Sequence, residues 1–149
     1  MTGVQTCALP IFLAILSAAY TEEAVPDAKG EDATRTVLKL HPALAPIKCA
    51  VLPLLKNKEE LTTAAKAIID KLKYSVNCQY DEKDAIGRRY RRQDAIGTPF
   101  CITVDFETLD NQTVTLRERD TLQQERIKIE DIERIVLEKT NMRLLLDSL

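Results

Sequence analysis

The sequence is poor in the side chains that nucleophilic and metal chemistry need. It has one histidine, His41, in a Leu-His-Pro stretch. A Ser-His-Asp or Cys-His relay therefore has a single base to draw on, and a structural role suits that setting better. Cysteine is sparse: Cys7, Cys49, Cys78 and Cys101, none at CxxC spacing. That argues against a zinc site and leaves only a thin disulfide framework, so reduced thiols and a cytoplasmic setting are expected. With 4 glycines and 6 prolines, collagen-like and low-complexity classes are excluded. Gly30, Gly87 and Gly97 lack GxGxxG or GxxxxGK spacing, so no phosphate loop is expected. Net charge is only −2, so the surface as a whole has no grip on nucleic acid and any basic site must be local. The apolar stretch 8–19 falls short of the roughly 20 residues a membrane span needs. No Lys or Arg precedes it, the first being Lys29, so it lacks the positive start of a secretory signal.

What remains is 149 residues, 45% hydrophobic and 30% charged. This suits a folded domain with a short appendage rather than a disordered chain. Residues 2–11, Thr-Gly-Val-Gln-Thr-Cys-Ala-Leu-Pro-Ile, match codon for codon the translation of a sequencing-library adapter, with Met1 as the start read before it. Residues 1–11 are therefore set apart from fold reasoning, and Cys7 with them. The three cysteines left all fall in apolar strands, where Cys acts as a small hydrophobe.

Residues 12–20 read as a short apolar helix, and residues 21–34, polar and acidic with Pro26 and Gly30, as a linker. Residues 35–40 have strand character, ended by His41-Pro42. The nearly unbroken apolar run 47–53 reads as a strand buried on both faces. A helix follows, with Asn57 as its expected cap, Glu60 completing a capping box, and a face of Leu61, Ala64, Ala65, Ile68, Ile69 and Leu72. Residues 75–80 alternate with period two, which completes a right-handed parallel crossover. Residues 84–94 form an expected short helix stopped by Gly97. Residues 99–105 and 113–117 read as a hairpin, with turn chemistry over 107–111. A short strand at 126–129 and a helix at 130–139, with face Ile132, Ile135 and Val136, complete the pattern. The last ten residues trail off. The expected fold is α/β, a three-layer α/β/α domain with a five-stranded mixed sheet flanked by about three helices.

Four arginines, Arg88, Arg89, Arg91 and Arg92, crowd around Tyr90. Guanidiniums bind phosphates bidentately and stack on unpaired bases. The alternative is a solvated helix face neutralised by Asp81, Glu82, Asp84 and Asp94, and the residues alone do not separate the two. Arg117 and Arg119 alternate to one face of a strand and Glu118 to the other. An arginine pair beside a sheet end can read base edges or make cross-strand ion pairs. Offsets of three and four pair Arg88 with Arg91 or Arg92, and Arg89 with Arg92. One such pair is expected to face outward and the other to brace the sheet through Asp105 or Asp120.

The run from Gly87-Arg88-Arg89-Tyr90-Arg91-Arg92-Gln93-Asp94 through Ala95-Ile96-Gly97-Thr98-Pro99-Phe100-Cys101 to Asp105 resembles the carboxy-terminal domain of the homodimeric class II glycyl-tRNA synthetase family. The segments from Leu40-His41-Pro42 to Leu52-Pro53-Leu54 and from Thr113-Val114-Thr115 to Arg117-Glu118-Arg119-Asp120 fit the same family, and the likeness covers about residues 12–136. Ala85 and Ala95 depart from its usual polar or acidic residues, and Ser17, Ala18 and Ala19 from a bulkier norm. The resemblance implies an anticodon-binding domain over 41–149 and a remnant of the class II catalytic domain with its linker over 12–40. The ATP-contacting arginine of the third class II motif would lie just before Phe12. It implies tRNA contacts among Arg88, Arg89, Arg91, Arg92, Gln93, Arg117, Glu118 and Arg119, with Arg117 and Arg119 reading bases. The partner would be tRNA-Gly at its anticodon, within a homodimeric parent that uses ATP and Mg²⁺ to charge it. This chain would have no catalytic residues and no cofactor of its own, and no membrane role. The other reading is a free-standing adaptor or dimerisation module of the same fold.

Overall fold

The computed structural model of the chain describes residues 3–26 and 32–147. Helix α1 (Gly3–Ala19) leads into an antiparallel pair, β1 (Tyr20–Pro26) and β2 (Asp32–Leu38). Then follow β3 (Cys49–Pro53), α2 (Glu59–Leu72), β4 (Cys78–Tyr80), α3 (Ile86–Ala95), β5 (Phe100–Val104), α4 (Phe106–Asn111), β6 (Thr113–Glu118), β7 (Gln124–Lys128), α5 (Ile132–Lys139) and α6 (Met142–Leu146).

The two unbroken apolar runs, β3 and β5, become the middle of a five-stranded sheet of order β4-β3-β5-β6-β7, and every residue in both is buried. Both neighbours of β3, β4 and β5, run parallel to it, and β6 and β7 complete the sheet antiparallel. Alternate strand residues divide the core. Cys49, Val51, Ile102, Val114 and Leu116 pack against Leu61, Ala65, Ile68 and Leu72 of α2 and Ile132 and Val136 of α5. On the other face Ala50, Leu52 and Cys101 meet Ile86 and Tyr90 of α3. The expected α/β/α layering and mixed five-stranded sheet are both present. The end of α3 shows why glycine stands at position 97. It sits at φ +83°, and a Cβ there would lie 3.0 Å from the Leu38 carbonyl oxygen.

The structure corrects several local expectations. The expected linker over 21–34 is largely the β1–β2 pair. Its polar composition hid a strand pairing held by charge, with Glu23 opposite Arg35 in register and bonded to it. Gly30 lies outside the described residues. The amino-terminal helix does not begin at Phe12 but runs from Gly3 to Ala19 with Pro10 inside it. Leu9, Ile11, Phe12 and Leu13 are exposed. Asn57 does not cap α2. Lys58 holds that position without a side-chain cap, and Glu59 and Glu60 in the first turn supply the negative charge that a helix start favours. The segment 107–111 is no tight turn. Asp105 accepts from the Thr108 amide in a capping box, and α4 joins β5 to β6. The strand expected over 75–80 is confined to β4, and Met142–Leu146, within the stretch expected to trail off, form α6.

Candidate nucleic-acid interface

Helix α3 has almost no aliphatic side chains to bury, so polar groups form its inner stripe. Ile86, Arg89, Tyr90, Gln93 and Asp94, at offsets of three, four, seven and eight, face the sheet and the β1–β2 pair. Arg88, Arg91 and Arg92 face solvent. The arginine run is therefore split. Arg89 is 2% exposed, and its Nε and Nη2 donate to the Asp84 carbonyl at 3.0 and 2.9 Å while Nη1 donates to the Pro53 carbonyl. Gln93 donates to the Gln79 side chain at 3.2 Å and accepts from the Thr98 hydroxyl at 2.8 Å. Arg92 stays at the surface, where it holds Asp81 and Asp84, each at 2.8 Å. Its guanidinium keeps the Asp84 carboxyl below the ordinary range.

Arg117 and Arg119 do share one face, the one α3 covers, and both are buried. Arg117 forks onto Asp94 at 2.9 and 3.0 Å, and its guanidinium lies 4.7 Å from the centre of the Tyr90 ring. The Tyr90 hydroxyl meets that of Thr103 at 2.5 Å. Arg35 reaches Asp94 from β2 at 3.0 Å, so one carboxylate, 1% exposed, serves two guanidiniums. In Arg119 every N–H is used. It donates to Leu38, Leu40 and Gly97 carbonyls at 3.1, 2.8 and 2.8 Å, and to Asp120 at 2.8 and 2.7 Å. Glu118 points to the opposite face, as strand alternation predicts. There it accepts from Lys139 of α5 at 2.6 Å, and this charge lowers its carboxyl pKa. The expected brace is differently built: Arg119 rather than an α3 arginine holds Asp120, and Arg126 holds Asp105.

A recess of about 230 Å³ opens beside α3, lined by Arg35, Gly87, Tyr90, Arg91, Asp94, Arg117, Leu122 and Gln124. It places the Arg117 guanidinium, the Tyr90 ring and Arg91 around one space. Of the expected contact residues it gathers Arg91 and Arg117. Arg88 and Arg92 lie on the neighbouring helix surface, and Glu118 is not among them. Arg35, Leu122 and Gln124 were not legible as lining residues. Leu122 has φ +59°, a left-handed conformation that is an outlier for an aliphatic side chain and that nothing in the sequence signals.

The fold and site thus define an α/β domain with an arginine-bearing helix laid across one face of a mixed sheet. The model of a family described as "Anticodon binding domain" matches residues 48–139, and the chain belongs to that family. The chain is 55% identical over 121 residues to a glycine–tRNA ligase of Streptomyces coelicolor, covering 81% of this chain and 26% of that protein. It is 56% identical over 120 residues to one from Rhodopirellula baltica, covering 80% and 22%. It is 52% identical over 130 residues to one from Clostridium perfringens, covering 87% and 27%. The chain thus spans about a quarter of the length of the curated relatives it matches. Among the described residues no helix is long and apolar enough to cross a membrane.

Proposed function

We propose that this chain recognises the anticodon of a glycine tRNA, as part of a cytoplasmic, homodimeric glycine–tRNA ligase. The observation that carries the reading is the identity above half to such ligases across four-fifths of the chain. On this reading residues 41–149 are the recognition domain, residues 12–40 a remnant of the catalytic domain and its linker, and residues 1–11 adapter-derived. Arg88, Arg91 and Arg92 grip phosphates from the outer face of α3. Arg117, fixed by Asp94 and Tyr90, faces a base in the recess. Arg89, Gln93 and Arg119 position the elements that carry them.

Glycine anticodons end in two C letters, and unpaired bases are read by stacking and edge hydrogen bonds. The test is binding to glycine tRNA and to an anticodon-swapped tRNA at two salt concentrations. Arg91→Ala and Arg88→Ala are expected to weaken both tRNAs equally and to lower the salt slope by about one each. Arg117→Lys keeps the charge but loses the fork. It is expected to cost roughly 1–3 kcal/mol on the glycine tRNA alone. Affinities unchanged in all three variants would remove the site.

The ligase reaction consumes ATP with Mg²⁺. Among the described residues no cluster of three or more His, Cys, Asp or Glu side chains could hold a metal ion. On our reading that chemistry belongs to the part of the ligases that this chain does not match, about three-quarters of their length. The chain by itself is therefore expected to give glycine-dependent pyrophosphate exchange no higher than a blank. Exchange above blank would sink this part of the reading.

A further inference from the structure

Two cysteines that the RNA reading does not use stand opposite one another in the sheet. Cys49, the first residue of β3, is in register with Cys78, the first residue of the parallel edge strand β4. Residues paired across adjacent strands lie about 4.8 Å apart, inside the roughly 4.4–6.8 Å window of Cα separations that a disulfide spans. Both side chains project to the α2 face, where Cys49 is part of the core cluster and Cys78 packs against it. Both are free thiols, Cys49 fully buried and Cys78 partly open to solvent. The third core cysteine, Cys101, projects to the opposite face, with Ala50 and Leu52, and is out of reach of the pair.

We propose that Cys49 and Cys78 are a peroxide-responsive dithiol, with Cys78 the attacking sulfur and Cys49 the resolving one. The roles follow from the setting. Cys78 is the member that solvent reaches. A hydrogen bond from the Cys49 thiol, helped by the charge of Lys73, draws its pKa down, while the same pairing and burial push that of Cys49 up. Cys101, 1% exposed on the other face of the sheet, is reached neither by peroxide nor by the pair. In the first step the Cys78 thiolate attacks one oxygen of hydrogen peroxide and the O–O bond breaks. A sulfenic acid forms and the other oxygen leaves as hydroxide, which takes a proton and becomes water. In the second step the Cys49 sulfur attacks the Cys78 sulfur, the S–O bond breaks, and the oxygen leaves as a second water carrying the Cys49 proton. Two thiols are oxidised to one disulfide while one peroxide is reduced to two waters. The product clips the short edge strand β4 to β3.

The test treats the folded full-length chain, carrying Cys7→Ser, with a few equivalents of hydrogen peroxide. The reaction is quenched by alkylation in denaturant, followed by tryptic mass spectrometry. The expected product joins the peptide beginning at Cys49 to the one beginning at Tyr74, has lost two hydrogens, and is reversed by dithiothreitol. Cys101 stays alkylatable, at least tenfold slower to oxidise. Cys49→Ser should halt Cys78 at a sulfenic acid that dimedone traps. Cys78→Ser should leave Cys49 and Cys101 both as thiols. The proposal fails if, in the chain with all three thiols, Cys78 stays reduced, runs on to sulfinic acid with Cys49 still alkylatable, or bridges to a second chain. None of these readouts depends on RNA binding.

Discussion

Asp94→Ala is expected to lower the stability of the chain by about 3–5 kcal/mol, the cost of removing one partner from a buried ion pair. The carboxylate is 1% exposed and takes three hydrogen bonds of 2.9 to 3.0 Å from Arg117 and Arg35. Without it two guanidiniums, 7% and 4% exposed, keep their charge and lose their common counter-ion. Arg35 retains Glu23 and the Arg119 carbonyl, so the larger loss falls on Arg117, which besides Asp94 has the Tyr90 ring and the Cys101 thiol beside it. Asp94→Asn should cost nearly as much, since the amide keeps one acceptor but no charge. Urea titration checks this: the midpoint should fall with the slope unchanged. Replacing Asp94 by Leu together with Arg117 by Met should recover part of the loss, because an apolar pair leaves no orphaned charge. A loss under about 1 kcal/mol, the scale of a solvent-exposed pair, would mean that water reaches the cluster and that it does not fasten α3 to the sheet.

The same cluster marks the limit of what the sequence made legible. Where burial is written in aliphatic residues, reading was straightforward. The apolar runs of β3 and β5 and the Leu61-to-Leu72 face of α2 announce themselves, and Gly97 ends α3 at the positive φ that glycine tolerates. Asp94 was legible only as a neutralising charge, because α3 offers only Ile86 and the ring of Tyr90 to mark its inner stripe. Offsets of three and four then group its arginines without saying which group is inside, so pairing Arg89 with Arg92 put a buried side chain with an exposed one. Strand alternation placed Arg117 and Arg119 on one face correctly. It could not reveal that the face is covered, since what covers it is again polar. The β1–β2 pair was missed for a related reason: its strands are polar, and the feature that fixes their register is Glu23 meeting Arg35 across the pair. The split of α3 into exposed and bracing arginines thus needed the three-dimensional arrangement, while the family-specific run from Gly87 to Asp105 was plain in one dimension.

Arg119→Ala separates the two roles that the sequence allowed this residue. If Arg119 read a base directly, its loss would relax anticodon preference and leave the fold intact. The structure spends its donors otherwise. One guanidinium, 2% exposed, ties the last residue of β2, the loop residue Leu40 and the glycine ending α3 to the end of β6. Truncation to Ala strips three backbone carbonyls of a charged donor, each worth about 1–3 kcal/mol if left unpaired. It also frees Asp120, whose exposed side chain simply returns to water. The expected loss is about 3–5 kcal/mol, with incomplete additivity holding it below the arithmetic sum. Arg119→Lys should recover little, because one ammonium cannot span carbonyls that a planar fork reaches in three directions. Amide hydrogen exchange adds the spatial test. Protection should fall first in β2 and around Gly97, which Arg119 joins, and last in β3 and β5, whose bonds lie within the sheet. On the function proposed above, binding to glycine tRNA should return once the variant is held folded at low temperature. A variant of unchanged urea midpoint but altered anticodon preference would give Arg119 back to the RNA and leave Arg117 without the fixed frame proposed for it.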